Sequence, residues 1–471
     1  MLKEKKQIQE KDTIKASFWY LVSNMVLKGL GFLTVPIFSR MLSKVEYGYY
    51  NNFTAWLSIL TTVATLTLST SLIRARFDFK EDLNCYVTSN LILGSLSVLI
   101  FFIIFWLNRN LVETIFALDF KYIIIMFLSI LFLPAYNMFQ QLQRFDYKYK
   151  IVVVLTLGAS VGSILLSLVL IKYMDSGLEA RIIGAQLPFF VISIVLYGYF
   201  LLKSRKVKLK YWKYSLLICL PFLVHLLSGN VLTSVDRTMI TAMCGAESTA
   251  LYGMAYNIAM VVTVLWDSLN SAYAPWLAEQ LNSKNYEGIR KYSYSYILVF
   301  CACLIGVMLI APETLYILGD KPYVAAKYVI PPVMLGYLFM FLYSMYANVE
   351  QFEKKTAGMA VATVMAALLN LGLNYIFIPR FGYLAAAYTT LAGYLFLFIF
   401  HYVLVRKMGF HTIYDTRFIL LISLTSTLAA LLILVVYQFD FIRYIVLSLY
   451  ILLMGILGWK NRKMILGLIK K

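Results

Sequence analysis

Apolar runs of about twenty residues, parted by short segments carrying lysine, arginine, glycine and proline, follow one another through nearly the whole chain. A bilayer core about 30 Å thick takes about 20 apolar residues to cross as a helix. On that measure the pattern predicts fourteen spans, at 16–38, 47–73, 84–107, 117–139, 150–172, 179–202, 212–235, 247–272, 292–318, 325–348, 356–378, 383–405, 416–437 and 441–459. The expected fold class is therefore an all-α polytopic membrane protein.

Composition agrees. Of the 471 residues 61% are hydrophobic and 14% charged, against about 25% charged in ordinary soluble domains. The formal charge of +19 would suit nucleic acid, but the lysines and arginines sit in short clusters between apolar runs. There they meet anionic headgroups, so membrane lipid is the expected partner and nucleic acid is not. Orientation follows from the same residues: 30 of the 42 fall in or at the edge of segments on one side, 11 on the other, and Lys28 alone falls near the middle of a span. The positive-inside rule then places both termini in the cytoplasm. The basic start of the chain leads into an apolar run of about 22 residues without a small-residue cleavage site, which reads as a retained first span.

A repeat runs through the pattern. Tyr47-Gly48 with Asn52 matches Tyr252-Gly253 with Asn257 at an offset of 205, Gly177 matches Gly382 at 205, and Tyr136, Met138 and Phe145 match Tyr343, Met345 and Phe352 at 207. Spans 1–6 and 7–12 are thus two copies of one unit, and because six is even the copies are parallel. The expected division is 1–202 for the first six-helix bundle, 203–213 for a basic cytoplasmic linker (KSRKVKLKYWK), 214–407 for the second bundle, and 408–471 for two extra spans and a basic tail. Aligning Arg40 with Arg237 shifts the offset to 197 and implies an insertion of about eight residues in the turn MCGAESTA. Lys28 then falls on His225.

Lys28 is costly where it stands: insertion scales charge roughly 2.5 to 3.5 kcal/mol for a central lysine. Ser17, Asn24, Lys28 and Gly31 share one helical stripe, so its face is polar or small. A wet cavity or an anionic partner would offset the cost, as would a structural salt bridge or snorkelling. The five cysteines show no CxxC pair and the three histidines are scattered, so no metal site is expected. No outer loop exceeds roughly 15 residues, and neither a Walker A motif nor a nucleophile elbow occurs, so no enzymatic activity is expected.

The segments FSRMLSKVEYGYYN, SLIRARFD, SVDRTMITAMCG, LYGMAYN and LNLGLNYIFIPRFGYLAAAYTTLAGY resemble the polysaccharide-transporter branch of the MOP exporter superfamily, the Wzx-type flippases of lipid-linked oligosaccharides. The resemblance implies two six-helix bundles around a central cavity lined by spans 1, 2, 7 and 8, alternating access, and a groove for a polyprenyl chain at spans 13 and 14. It also implies a lipid-linked oligosaccharide substrate carried on undecaprenyl diphosphate, moved from the inner to the outer leaflet of a bacterial cell membrane. Polysaccharide polymerase and glycosyltransferases would be its partners in surface polysaccharide synthesis. A lipid II flippase, also of fourteen helices, is the first alternative. A cation-coupled drug antiporter is disfavoured by the fourteen spans and by the basic N-terminal half, and a membrane enzyme polymerising the glycan by the short outer loops.

For such a substrate the cavity must offer fixed positive charge and hydrogen-bonding groups. Candidates are Lys28 with Asn24, Arg74 (or, with Arg76, an anchor on the headgroups), His225 (or a neutral core histidine), and Asn257 and Asn374. Asn370, on one helix face with Asn374, and Asn52 join them, interhelical hydrogen bonding being the other use of all four asparagines. No cofactor is expected; for coupling to H+ or Na+ the candidates are Asp267, Asp236 and Arg237, with a local cap or charge pair as the alternative.

Overall fold

The computed structural model describes residues 2–355 and 357–460; in the first helix the side chains before Trp19 and at Tyr20, Leu21 and Asn24 lie outside the described residues. In chain order the helices are α1 (Leu2–Met41), α2 (Lys44–Ala64), α3 (Leu72–Asp78), α4 (Leu83–Leu107), α5 (Arg109–Phe116), α6 (Phe120–Leu131), α7 (Leu133–Phe145), α8 (Tyr149–Tyr173), α9 (Gly177–Lys203), α10 (Leu209–Cys244), α11 (Ala246–Asn282), α12 (Tyr286–Leu309), α13 (Ala311–Gly319), α14 (Ile330–Phe352), α15 (Ala357–Phe381), α16 (Tyr383–Lys407), α17 (Thr416–Val436) and α18 (Asp440–Lys460). Short 3-10 segments lie at Leu68–Ser71, Lys80–Asp82 and Lys321–Val329.

Among the described residues twelve helices are long and apolar enough to cross a membrane, and α2 with Leu68–Asp78, bent by 50°, makes a thirteenth. The first of the fourteen predicted spans falls on α1, part of whose side chains are not described. The large apolar side chains left exposed along α4, α17 and α18, such as Ile100, Leu424 and Leu449, face what would be lipid.

Several spans are broken. The bend after α2 sits at Leu66 and Thr67, both left-handed with φ of 53° and 48°, a conformation that costs a β-branched residue of the order of 1–3 kcal/mol. Predicted span 4 divides at Phe132, where Pro134 opens α7. Elsewhere helices run on. The span predicted to end at 235 continues to Cys244, so Asp236 and Arg237 lie within α10 instead of closing it. The expected MCGAESTA insertion is helix as well: Gly245 alone, at φ +87°, joins α10 to α11. A left-handed glycine reverses the chain without strain.

The described residues pack into two compact units. Unit 1 holds residues 1–253 and 363–386, thus α1–α10, the start of α11, most of α15 and the first turn of α16. Its helix ends are fastened by side chains. Ser43 and Glu46 form a capping box at α2, and Glu46 also accepts from the Leu178 N–H at 3.1 Å. Buried Asn52 donates to the Phe116 carbonyl at the end of α5 (2.8 Å), so this repeat asparagine takes the interhelical role. α10 lies along α2 and α4, with Ser215 2.7 Å from the Tyr86 hydroxyl.

The repeat glycines have separate reasons. A Cβ on Gly48 would stand 1.8 Å from the Ala246 carbonyl oxygen, and one on Gly253 2.8 Å from Asn51 Cγ, so both permit close helix approach. Gly177 is likewise confined by Leu42, whereas Gly382 makes a left-handed turn at φ +69° with nothing near it. Gly48→Ala is therefore expected to destabilise the protein by about 3 kcal/mol through overpacking. Gly455→Ala, whose Cβ meets nothing within 4 Å, should be neutral or stabilising by a few tenths up to about 1 kcal/mol. Thermal unfolding of the two variants in detergent makes the comparison.

Unit 2 holds the described residues from 254 to 362 and from 387 onward. Its axis is α14, which is almost wholly buried. Phe341 stacks on Phe300 of α12 at 4.1 Å, and the Tyr414 hydroxyl bonds both Tyr273 (2.9 Å) and the Met345 carbonyl (3.2 Å). α17 and α18 are tied on by polar anchors. Buried Arg443 meets the Glu313 carboxylate of α13 at 2.6 Å, and Tyr437 donates to the Met308 carbonyl at 2.5 Å.

Candidate functional site

Among the described residues the most deeply buried carboxylate in unit 1 is Asp236, 1% exposed on α10. Its Oδ2 accepts the Tyr252 hydroxyl at 2.5 Å and its Oδ1 accepts Asn374 Nδ2 at 2.7 Å; the same amide lies 3.2 Å from Asn370 Oδ1. Asn370 and Asn374 are one helical turn apart on α15 and both fully buried. The carboxylate is thus set among oxygen-bearing groups, Asn370 Oδ1 and the tyrosine hydroxyl, of the kind that bind a proton or a hard monovalent cation. Neighbouring Arg237 is half-buried and donates to the Thr233 carbonyl at 3.2 Å.

The cationic candidates lie elsewhere in the unit. Lys28 is half-buried on α1, while Asn24, one turn before it, lies outside the described residues. His225 is half-buried on α10 near Phe222 (6.1 Å between rings), and its Nδ1 is buried without a hydrogen-bond partner among the described residues. An unpaired imidazole nitrogen retains a donor or acceptor for a ligand. Arg74 is exposed and ion-paired with Asp78 one turn on at 3.1 Å. Arg76 pairs with Asp146 at 3.0 Å and packs over Phe145. Asn257, half-buried, and Asp267, exposed, belong to unit 2, on α11.

The basic linker contracts to residues 204–208 between α9 and α10. Lys208 donates to the Asp82 carboxylate, which holds its ammonium above the usual lysine range, and its backbone N–H donates to Ser89 (3.1 Å). The sequence did not couple Asp236 with Tyr252: Tyr252 stood out only as a repeat marker. The available signal was the pairing of an in-helix acid with two asparagines at i and i+4 on another span.

Comparison with known proteins gives the fold and then the family. The fold is one that solved membrane transporters share. It is similar to the lipid II flippase MurJ in an inward closed conformation, at 14% identity and TM-score 0.72, covering 94% of this chain and 99% of that one. It is also similar to a multidrug resistance MATE family transporter in an inward-facing conformation, at 15% identity and TM-score 0.60, covering 81% and 94%. The chain belongs to the polysaccharide biosynthesis protein family, which matches residues 13–281, and residues 221–376 also match the MatE family. Among curated relatives, the first Lsg locus protein of Haemophilus influenzae is 25% identical over 390 residues, 78% of this chain and 94% of the relative. An uncharacterized membrane protein of Methanocaldococcus jannaschii is 22% identical over 449 residues, 84% of each.

Proposed function

We propose that this multi-pass protein is a flippase, not an enzyme, that moves undecaprenyl-diphosphate-linked oligosaccharide units from the inner to the outer leaflet of a bacterial cell membrane. It serves capsule, O-antigen or exopolysaccharide synthesis, beside a polysaccharide polymerase and the glycosyltransferases that build the unit. The observation that carries this reading is Lys28, a half-buried cation on a membrane-length helix in a chain of the polysaccharide biosynthesis family.

In this reading both termini are cytoplasmic, and the two six-helix repeats, 1–202 and 214–407, alternate access to a cavity between them. Lys28 with Asn24 and the open nitrogen of His225 receive the diphosphate, Asn257 bonds sugar hydroxyls, and Arg74 meets the headgroup as it enters. Asp236, with Asn370 and Asn374, holds the coupling ion, H+ or Na+; Asp267 on α11 is the other candidate for that role, and Arg237 serves a local charge pair. The cation favours its site as the anionic headgroup leaves, so that each step is stabilised by a different fixed group.

Deletion of the gene is expected to leave lipid-linked oligosaccharides accumulating on the cytoplasmic face and to remove the surface polysaccharide. Normal display without accumulation would reject the reading. The likeness to a lipid II flippase over 99% of that chain favours lipid II as the second reading. Rescue of a strain depleted of its own lipid II flippase distinguishes the two.

A further inference from the structure

Unit 2 contains a buried acid–base pair that the proposed transport site does not use. Glu350, in the last turn of α14, is 0% exposed and His401, near the end of α16, 2% exposed, with the ring Nδ1 2.7 Å from Oε1. Tyr343 stacks on the imidazole at 5.5 Å between ring centroids, and Phe400 packs at its edge. The start of α15 closes over the carboxylate: a Cβ on Gly358 would lie 3.8 Å from Oε2. That second oxygen is buried and has no hydrogen-bond partner among the described residues.

The charged groups around the pair are engaged elsewhere or exposed. Lys354, Lys355 and Lys407 are exposed, Glu353 is half-buried, and Lys355 reaches Glu350 only through a backbone hydrogen bond of 2.9 Å. Arg406 donates to the Tyr402 hydroxyl (2.6 Å), Arg290 of α12 to the Thr412 carbonyl (2.6 Å), and Asp415, before α17, accepts from Tyr294 (2.8 Å). From α14 and α16 the other titratable neighbours are tyrosines, Tyr343, Tyr346 and Tyr402.

In a dry site the favoured state of such a pair is net neutral, with one proton held in common between ring and carboxylate. Without the proton a bare carboxylate is buried; with two, an imidazolium faces a neutral acid. A pair kept only for structure has no use for a carboxylate oxygen left unmatched, at a cost of about 1–3 kcal/mol. We propose that Glu350 and His401 form a proton-binding site that holds one proton while closed and exchanges it with water when that end of unit 2 opens. The proton passes from solvent to the shared Nδ1–Oε1 bond and back, and no other bond changes. Its coupling to transport rests on the flippase reading; the binding itself does not.

Two measurements test this. In protein carrying His225→Gln and His411→Gln, so that 15N-imidazole NMR sees His401 alone, the ring is expected to titrate jointly with the acid. Glu350→Gln should then move its midpoint by about one pH unit or more. A ring that titrates like a free histidine, unmoved by Glu350→Gln, overturns the site. In vesicles, translocation of an undecaprenyl-diphosphate glycan should respond about fivefold or more to a pH difference of about two units, and Glu350→Gln and His401→Gln should each cut that response by about half or more, any part that Asp236 carries remaining; a response kept in full by both variants overturns the coupling. Translocation by the unsubstituted protein without any response overturns the coupling and leaves the flippase reading standing. Absence of all translocation overturns the flippase reading, and the NMR titration then decides the proton site alone.

Discussion

Asp236→Asn is expected to lower the translocation rate about tenfold or more while the protein still folds. Asparagine keeps the volume of the side chain, 1% exposed on α10, and its amide can still meet Tyr252 and Asn374, whose bonds to Asp236 are 2.5 and 2.7 Å. What it removes is the charge. If Asp236 holds the coupling ion, the loss falls on transport and not on stability. Asp236→Ala differs, because it strands the Tyr252 hydroxyl and the Asn374 amide in a buried place, at about 2 kcal/mol or more. Initial rates in proteoliposomes and thermal unfolding in detergent separate the two effects, and an asparagine variant of full activity would remove Asp236 from the coupling site.

Lys28→Ala is expected to reduce transport by about tenfold or more at normal protein level, and Lys28→Arg by much less, since arginine keeps the cation and its donors for a diphosphate. A lysine kept only for snorkelling would tolerate alanine, because shedding a charge from the membrane interior relieves roughly 2.5 to 3.5 kcal/mol. The alanine variant would then be as active as the unsubstituted protein and at least as stable. Adding His225→Gln to Lys28→Ala extends the test: if both side chains serve one headgroup, the double loss falls short of the sum of the single losses.

The membrane-spanning pattern was legible because apolar runs of bilayer length admit few other readings. The repeat glycines were legible too, and close approach explains three of them, Gly48, Gly177 and Gly253. The bend at Leu66 and Thr67 was not, since neither glycine nor proline marks it. Asp236 was misplaced to a helix end because a polar pair, Asp236-Arg237, interrupts the apolar run; burial among Tyr252, Asn370 and Asn374 lets α10 continue through it. Glu350 fell two residues outside its predicted span, and His401 was passed over as one of three scattered histidines. Only the packing of α14 against α16 brings them to 2.7 Å. Spacing along one helix reports its faces, but not which face of another helix will meet them.

The flippase reading meets its most direct test in vesicles that carry an undecaprenyl-diphosphate-linked oligosaccharide labelled on the inner leaflet, with the purified protein reconstituted at about one copy per vesicle. An outer-side glycosidase or lectin then reads how fast the label becomes accessible. The account predicts exposure about tenfold or more faster than in protein-free vesicles, with Lys28→Ala close to the protein-free rate. Exposure no faster than in protein-free vesicles would contradict it.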